Sequence, residues 1–271
     1  MTRRVSLPVM CLGILGFSFL YVPMVVMIVF SFNAGKLVSV WSGFSVKWYA
    51  SLVTNEQLLH SFGLSLLIAF WAATIATVCG TMIAVAFVRF GNFSGRLVMS
   101  SLSSAPLVMP EVVTGLSLLL LFISMESVLG WPAGRGVDTI IIAHATFGMC
   151  FAAVVIQARL RDFDRDIEDA AFDLGARQPF VFFSVTLPVI LPAIIAAWLL
   201  AFTLSFDDLV IASFVSGPGS STLPILVFSK VRLGVTPEIN ALASIMIGIV
   251  AASVVSAAFI MRRRLAKAGC D

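Results

Sequence analysis

Three acids lie in or beside long apolar runs of this chain: Glu111, Asp207 and Asp208. A carboxylate at the centre of a membrane helix costs ~2.5–3.5 kcal/mol on insertion scales, so it usually faces a pathway or a partner. At ~1.5 Å per residue, Glu111 falls ~20 Å along its run, near mid-depth, and the aspartates ~27 Å along theirs. Adjacent helical residues point about 100° apart, so the two aspartates are not expected to face one cavity. Separated acids among Phe and Leu suit a path for a cation, with Asp208 assigned to it ahead of Asp207. The competing reading is that these acids cap helix ends or pair with a partner subunit.

Little else could do chemistry. Gly35-Lys36 runs on into Leu37 and lacks the spacing of a phosphate-binding loop. His60 and His144 stand far apart without an HExxH pattern, and there is no Gly-x-Ser-x-Gly elbow. Cys11, Cys79, Cys150 and Cys270 include no close pair, so neither a disulfide framework nor a metal motif follows. No catalytic residue, metal site or bound cofactor is expected of this chain, and no nucleic-acid contact.

The elements that must position the acids are membrane helices. The chain is 60% hydrophobic and 11% charged, against about 25% charged in soluble domains. Apolar runs of ~20 residues or more place helices at 8–32, 58–88, 97–125, 139–158, 189–212 and 239–261. The first is read as retained rather than cleaved. The third is broken by Pro106 and Pro110, and Ser216-Gly217-Pro218-Gly219 ends the fifth. Leu223–Leu233 reads as a short amphipathic helix, and Thr236-Pro237 as the start of the sixth span. The expectation is one membrane domain, 1–271, with no repeat and no soluble domain at either end.

Six crossings put both termini on one side. If that side is cytoplasmic, its segments hold twelve Lys or Arg: Arg3, Arg4, Arg89, Arg96, Arg159, Arg161, Arg165, Arg177, Arg262, Arg263, Arg264 and Lys267. The other side holds five: Lys36, Lys47, Arg135, Lys230 and Arg232. That asymmetry predicts cytoplasmic termini and membrane lipid as the surroundings.

The same count puts the charge-dense segment 159–188 in the cytoplasm. Its acids Asp162, Asp164, Asp166, Glu168 and Asp169 suit a helix start. Leu160, Phe163, Ile167, Ala170 or Ala171, and Leu174 form an apolar stripe at helical spacing. Gly175 is a natural left-handed stop, and Pro179 opens a second short helix, Phe180 to Val185, before Leu187-Pro188 leads back to an apolar run. An apolar stripe on such an elbow calls for something to pack against it.

Asp169-Ala170-Ala171, three residues, Gly175, nine residues, then Val185-Thr186-Leu187-Pro188 resembles the EAA loop of ABC-importer permeases. Asp169 for Glu and Val185 for Ile are mild departures. Further stretches look like polyamine-type permeases: Pro106-Leu107-Val108-Met109-Pro110-Glu111 with Gly115 to Phe122, Ser205 to Ala212, Ser216 to Pro224, Val231 to Ala241, Lys36-Leu37-Val38 and Trp48-Tyr49.

The resemblance implies an all-α integral membrane protein of six transmembrane helices with the type I ABC-importer (MetI-like) permease fold. It implies ATPase coupling through Asp169, Ala170, Ala171, Gly175, Ala176, Leu187 and Pro188. Implied partners are a homologous permease in a heterodimer, two cytoplasmic ATPase subunits holding ATP and Mg, and a periplasmic polyamine-binding protein. The solute would be putrescine or spermidine, imported across the bacterial inner membrane. Importers of ferric iron or phosphonate share several of these patterns and stay open as alternatives. So do a secondary transporter, which would often show an inverted repeat, and a membrane-embedded enzyme, which would need a clustered catalytic set.

Overall fold

The computed structural model describes residues 7–37, 40–234 and 236–268. Arg3, Arg4, Val38, Val235 and Cys270 fall outside them, as do the side chains of Cys11, Arg262, Arg263, Arg264 and Lys267. The described chain is helical, with one isolated bridge between Asn33 and Phe44. In order the helices are α1 (Leu7–Phe30), α2 (Lys47–Thr54), α3 (Glu56–Arg89), α4 (Arg96–Val108), α5 (Glu111–Leu129) and α6 (Val137–Arg161). Then come α7 (Asp166–Asp173), α8 (Gln178–Val181), a π-turn at Phe182–Thr186, α9 (Leu187–Phe206), α10 (Val210–Val215), α11 (Leu223–Leu233) and α12 (Pro237–Ala268). Among the described residues, Leu12–Phe30, Glu56–Arg89, Glu111–Leu129, Val137–Arg161 and Gln178–Phe206 are long and apolar enough to cross a membrane. Pro237–Ser253 adds a sixth, shorter apolar stretch.

Two of the spans read from sequence are interrupted. The run 97–125 forms α4 and α5, because the residue before a proline avoids the helical region: Met109 is extended at φ −73°, ψ 141°, just before Pro110. Pro106 stays inside α4. The run 189–212 begins earlier and ends sooner. Leu187-Pro188 does not lead out of a short helix; it lies in a helical rod that starts at Gln178 and ends at Phe206. Proline lacks an N–H and its ring crowds the carbonyl four residues back. The preceding turn is widened to π geometry, with the Leu187 N–H donating to the Phe182 carbonyl five residues earlier. Beyond Phe206 the chain unwinds at 207–209 before α10.

Contacts divide the chain into two compact units. In the unit made of Met1–Leu59 and Val227–Asp271, α12 packs on α1 and α2. Asn55 donates to Glu238 at 2.7 Å and Lys230 pairs with it at 3.3 Å. Here Asn33, fully buried, donates to the Leu37 and Val40 carbonyls and accepts from the Gly35 and Ser42 N–H groups, which ties 35–37 and 40–42 to one side chain.

In the unit His60–Leu226, α6 and α9 pair as antiparallel neighbours, His144 lying by Ser205 and Gly148 by Ala201. α3 reaches the same seam through small residues. A Cβ on Gly80 would sit 2.7 Å from that of Ala152 and 2.9 Å from the Ala153 nitrogen. Ala72, Ala73, Ala76 and Ala84 on α3 are buried, with Ala152 and Ala153 on α6 and Ala197 and Ala201 on α9. In lipid, where apolar contact alone gives no preference for another helix, such small side chains allow the backbone approach that drives packing.

Candidate functional site

The elbow is built from α7, its glycine stop and the π-turn. Asp166, Glu168 and Asp169 occupy the first turn of α7, where they favour the free N–H groups. At its other end Gly175 is left-handed at φ +82°. The Gly175 N–H donates to the Phe172 carbonyl at 2.8 Å and the Ala176 N–H to the Ala171 carbonyl at 3.1 Å. Those two bonds make a Schellman stop, and they bring together Ala171, Gly175 and Ala176, three of the residues singled out by sequence.

A polar clamp fixes this elbow to its neighbours. Arg89, last residue of α3, donates from Nη2 to Glu168 Oε1 at 2.9 Å, and Thr186 of the π-turn donates its hydroxyl to the same oxygen. The Arg89 guanidinium also lies 5.5 Å from the Phe163 ring centre, and Arg165 donates to the Val88 carbonyl at 2.6 Å. Arg89 Nη1 is buried without a hydrogen-bond partner, beside a cavity of about 240 Å³ lined by Val85, Arg165, Glu168, Phe182 and Thr186. In the sequence Arg89 counts only as a topology charge and Glu168 only as a helix-start acid. Their separation of 79 residues carries no periodic signal.

The apolar stripe divides. Leu160 and Phe163 are buried against the chain itself, whereas Ile167 is 49% and Leu174 90% exposed. Phe172, off that stripe, is also exposed. Asp169, Ala170 and Pro188 are exposed, and Ala171, Ala176 and Leu187 half-buried. The elbow therefore offers an acid and apolar side chains together on an open surface.

The three acids of the apolar runs meet different fates. Glu111 opens α5 and is exposed. Asp207 ends α9, its N–H bonded to the Thr203 carbonyl, and is exposed too. Asp208 turns inward. Its carboxylate accepts from the N–H groups of Ile211 (3.3 Å) and Ala212 (2.7 Å) and meets His144 Nε2 at 3.1 Å. Asp208 thus caps α10 in this structure, and Asp207 is the more open of the two. Below them runs an aromatic ladder on α9: Trp198 stacks on Phe202 at 5.3 Å and Phe202 on Phe206 at 6.0 Å. No cluster of three or more His, Cys, Asp or Glu able to hold a metal occurs among the described residues.

Comparison with known proteins completes the picture. The family described as binding-protein-dependent transport system inner membrane component matches residues 76–268. The putrescine transport system permease protein PotI of Escherichia coli (strain K12) is 56% identical over 237 residues, 88% of this chain and 84% of that protein. The spermidine/putrescine transport system permease protein PotC of Haemophilus influenzae is 40% identical over 247 residues, 91% and 93% of the two chains. Among solved structures, a bacterial alginate ABC transporter in complex with an alginate pentasaccharide-bound periplasmic protein superposes with TM-score 0.68 at 18% identity, covering 96% of this chain and 94% of that one. The MetNI methionine ABC transporter in an inward-facing form gives 0.58 at 15%, covering 81% and 98%. The chain belongs to the binding-protein-dependent transport system inner membrane component family, and is an all-α, six-helix permease of the type I ABC-importer fold.

Proposed function

We propose that this permease is one half of the membrane channel of an ATP-driven importer that carries a polyamine, putrescine or spermidine, from periplasm to cytoplasm. The 56% identity to a putrescine permease over 88% of the chain carries the reading. The site chemistry supports it. A polyamine presents ammonium groups separated by apolar carbon, and Glu111 and Asp207 are exposed, separate acids. The end of α9 adds the negative pole of a 20-residue helix, as broken membrane helices do at cation sites. The Trp198–Phe202–Phe206 ladder offers faces that attract cations by ~0.5–2 kcal/mol per contact.

In this reading the partners are a homologous permease, two cytoplasmic ATPases that hold ATP and Mg, and a periplasmic polyamine-binding protein; this chain holds no cofactor. Both termini and the elbow are cytoplasmic. The ATPase seats on Asp169, Ala170, Ile167 and Leu174, and its closure moves α7 against the Arg89–Glu168–Thr186 clamp, biasing the permease between outward- and inward-open states. The test is ATP-dependent uptake by the reconstituted complex of labelled putrescine and spermidine against ferric iron and a phosphonate. Uptake of one of the latter pair with neither polyamine carried would overturn the substrate reading while leaving the transporter class intact.

A further inference from the structure

His144 has no part in the function so far, yet its surroundings are built around it. The side chain is 2% exposed, and both ring nitrogens are engaged: Nδ1 with Ser205 Oγ at 2.7 Å, Nε2 with Asp208 Oδ2 at 3.1 Å. A carboxylate only accepts, so Nε2 is the donor; in the neutral ring Nδ1 then accepts a hydrogen bond from the Ser205 hydroxyl. Ser205 lies before the unwound residues 207–209 and Asp208 within them. One imidazole therefore spans the place where the membrane helix is broken.

The short helix after the break depends on that bridge. α10 has six residues, too few to persist alone, and it is tied to α6 at both ends. At its start Asp208 holds two α10 N–H groups and reaches His144; at its end the Val215 carbonyl accepts from Thr139 at 2.7 Å. Ile211 and Phe214 are pressed so closely on Gly115 of α5 that a Cβ there would sit 2.8 Å from the Phe214 ring. α10 can shift at its start only if the His144–Asp208 contact gives.

We propose that His144 is a positioning residue for transport: through Asp208 it fixes the break at 207–209 and so aims Asp207, one residue earlier, into the cation path. The inference rests on the reading of Asp207 as a path acid. His144 touches no solute itself; its role is to hold its neighbour inward so that the open carboxylate stands in one place.

Three variants separate positioning from plain packing. Glutamine at 144 (His144→Gln) puts an amide donor where Nε2 was. Asparagine (His144→Asn) reaches only the Nδ1 position, beside Ser205, and loses the bond to Asp208. Alanine loses both. Uptake of putrescine and spermidine by the reconstituted complex should show KM raised ~10-fold or more in H144N and H144A, with H144Q within about threefold of wild type, the scale of one lost charge-assisted bond. Equal KM in H144N and H144Q, or wild-type values in both, overturns the proposal.

A second measurement needs no transport. A cysteine at position 207 (Asp207→Cys), in a chain lacking its native cysteines, should react with a hydrophilic thiol reagent at a rate that H144N changes at least about fivefold and H144Q restores. Identical rates in all three backgrounds overturn it. If H144N does not assemble, H144A, which also lacks the bond to Asp208, takes its place in both arms under the same criteria. Failure of the wild type to carry either polyamine sinks the substrate reading alone and leaves the thiol rates to decide.

Discussion

Arg89 and Glu168, 79 residues apart, meet at 2.9 Å where the end of α3 touches the elbow, and each side chain is about 85% buried, at 15% and 13% exposed. Removing one partner of such a pair strands the other, at a cost of ~3–5 kcal/mol. Glu168→Ala should therefore lower the melting temperature of the purified complex and reduce uptake more than ATPase activity, because the elbow loses its tie to α3 and to Thr186 together. Glu168→Gln keeps an oxygen to accept and should fall between. Equal uptake in wild type and Glu168→Ala would remove the clamp from any account of coupling.

The stop at Gly175 gives a cleaner perturbation. Nothing lies within 4 Å of a Cβ built there, so the only penalty is the left-handed backbone at φ +82°, about 1–2 kcal/mol for an L-residue and more for a β-branched one. Gly175→Asn should be tolerated, and Gly175→Val should insert normally while solute-stimulated ATPase activity and uptake both collapse. Normal uptake by Gly175→Val, measured beside complex recovery, would argue strongly against docking at this elbow.

Away from the elbow, Glu111→Gln and Asp207→Asn should slow polyamine uptake at least severalfold without loss of assembled complex. Asp208→Asn should lower complex recovery as well, since Asp208 caps α10. Initial rates measured alongside recovery of the complex decide this. Neutral variants of Glu111 and Asp207 that transport at the wild-type rate would make both acids structural.

Topology is open to direct labelling. Gln178 and Ser221 are both exposed. Single cysteines there should respond oppositely to a membrane-impermeant thiol reagent in cells with a permeabilised outer membrane, Ser221→Cys reacting and Gln178→Cys protected. The reverse pattern would invert the orientation.

What the sequence makes legible is local. The Gly175 stop, the bounds of Leu223–Leu233 and the interruption near Pro110 all follow from conformational preferences of a few adjacent residues. The sequence separates the short helix 180–185 from the run at 189 because a proline penalty can be met in two ways, by ending the helix or by widening the turn before it, and the residues near Leu187-Pro188 do not say which. Asp208 carries the path assignment in the sequence, and its inward turn to His144, 64 residues away, is a contact that no spacing rule reveals.

The close approach of α3, α6 and α9 has a mechanical consequence. Gly80, Ala76, Ala152, Ala153, Ala197 and Ala201 possess no χ torsions, so at these positions the seam cannot take up a displacement by switching rotamers as leucines can. With backbone as near as 2.9 Å to where a Gly80 Cβ would be, the helices have almost no room to slide either. A displacement at the foot of α3 would pass through this stretch with little of it absorbed by side chains. In engineering terms the three helices are a stiff beam whose compliance is concentrated at its two interruptions, the π-turn at 182–186 and the unwound residues 207–209.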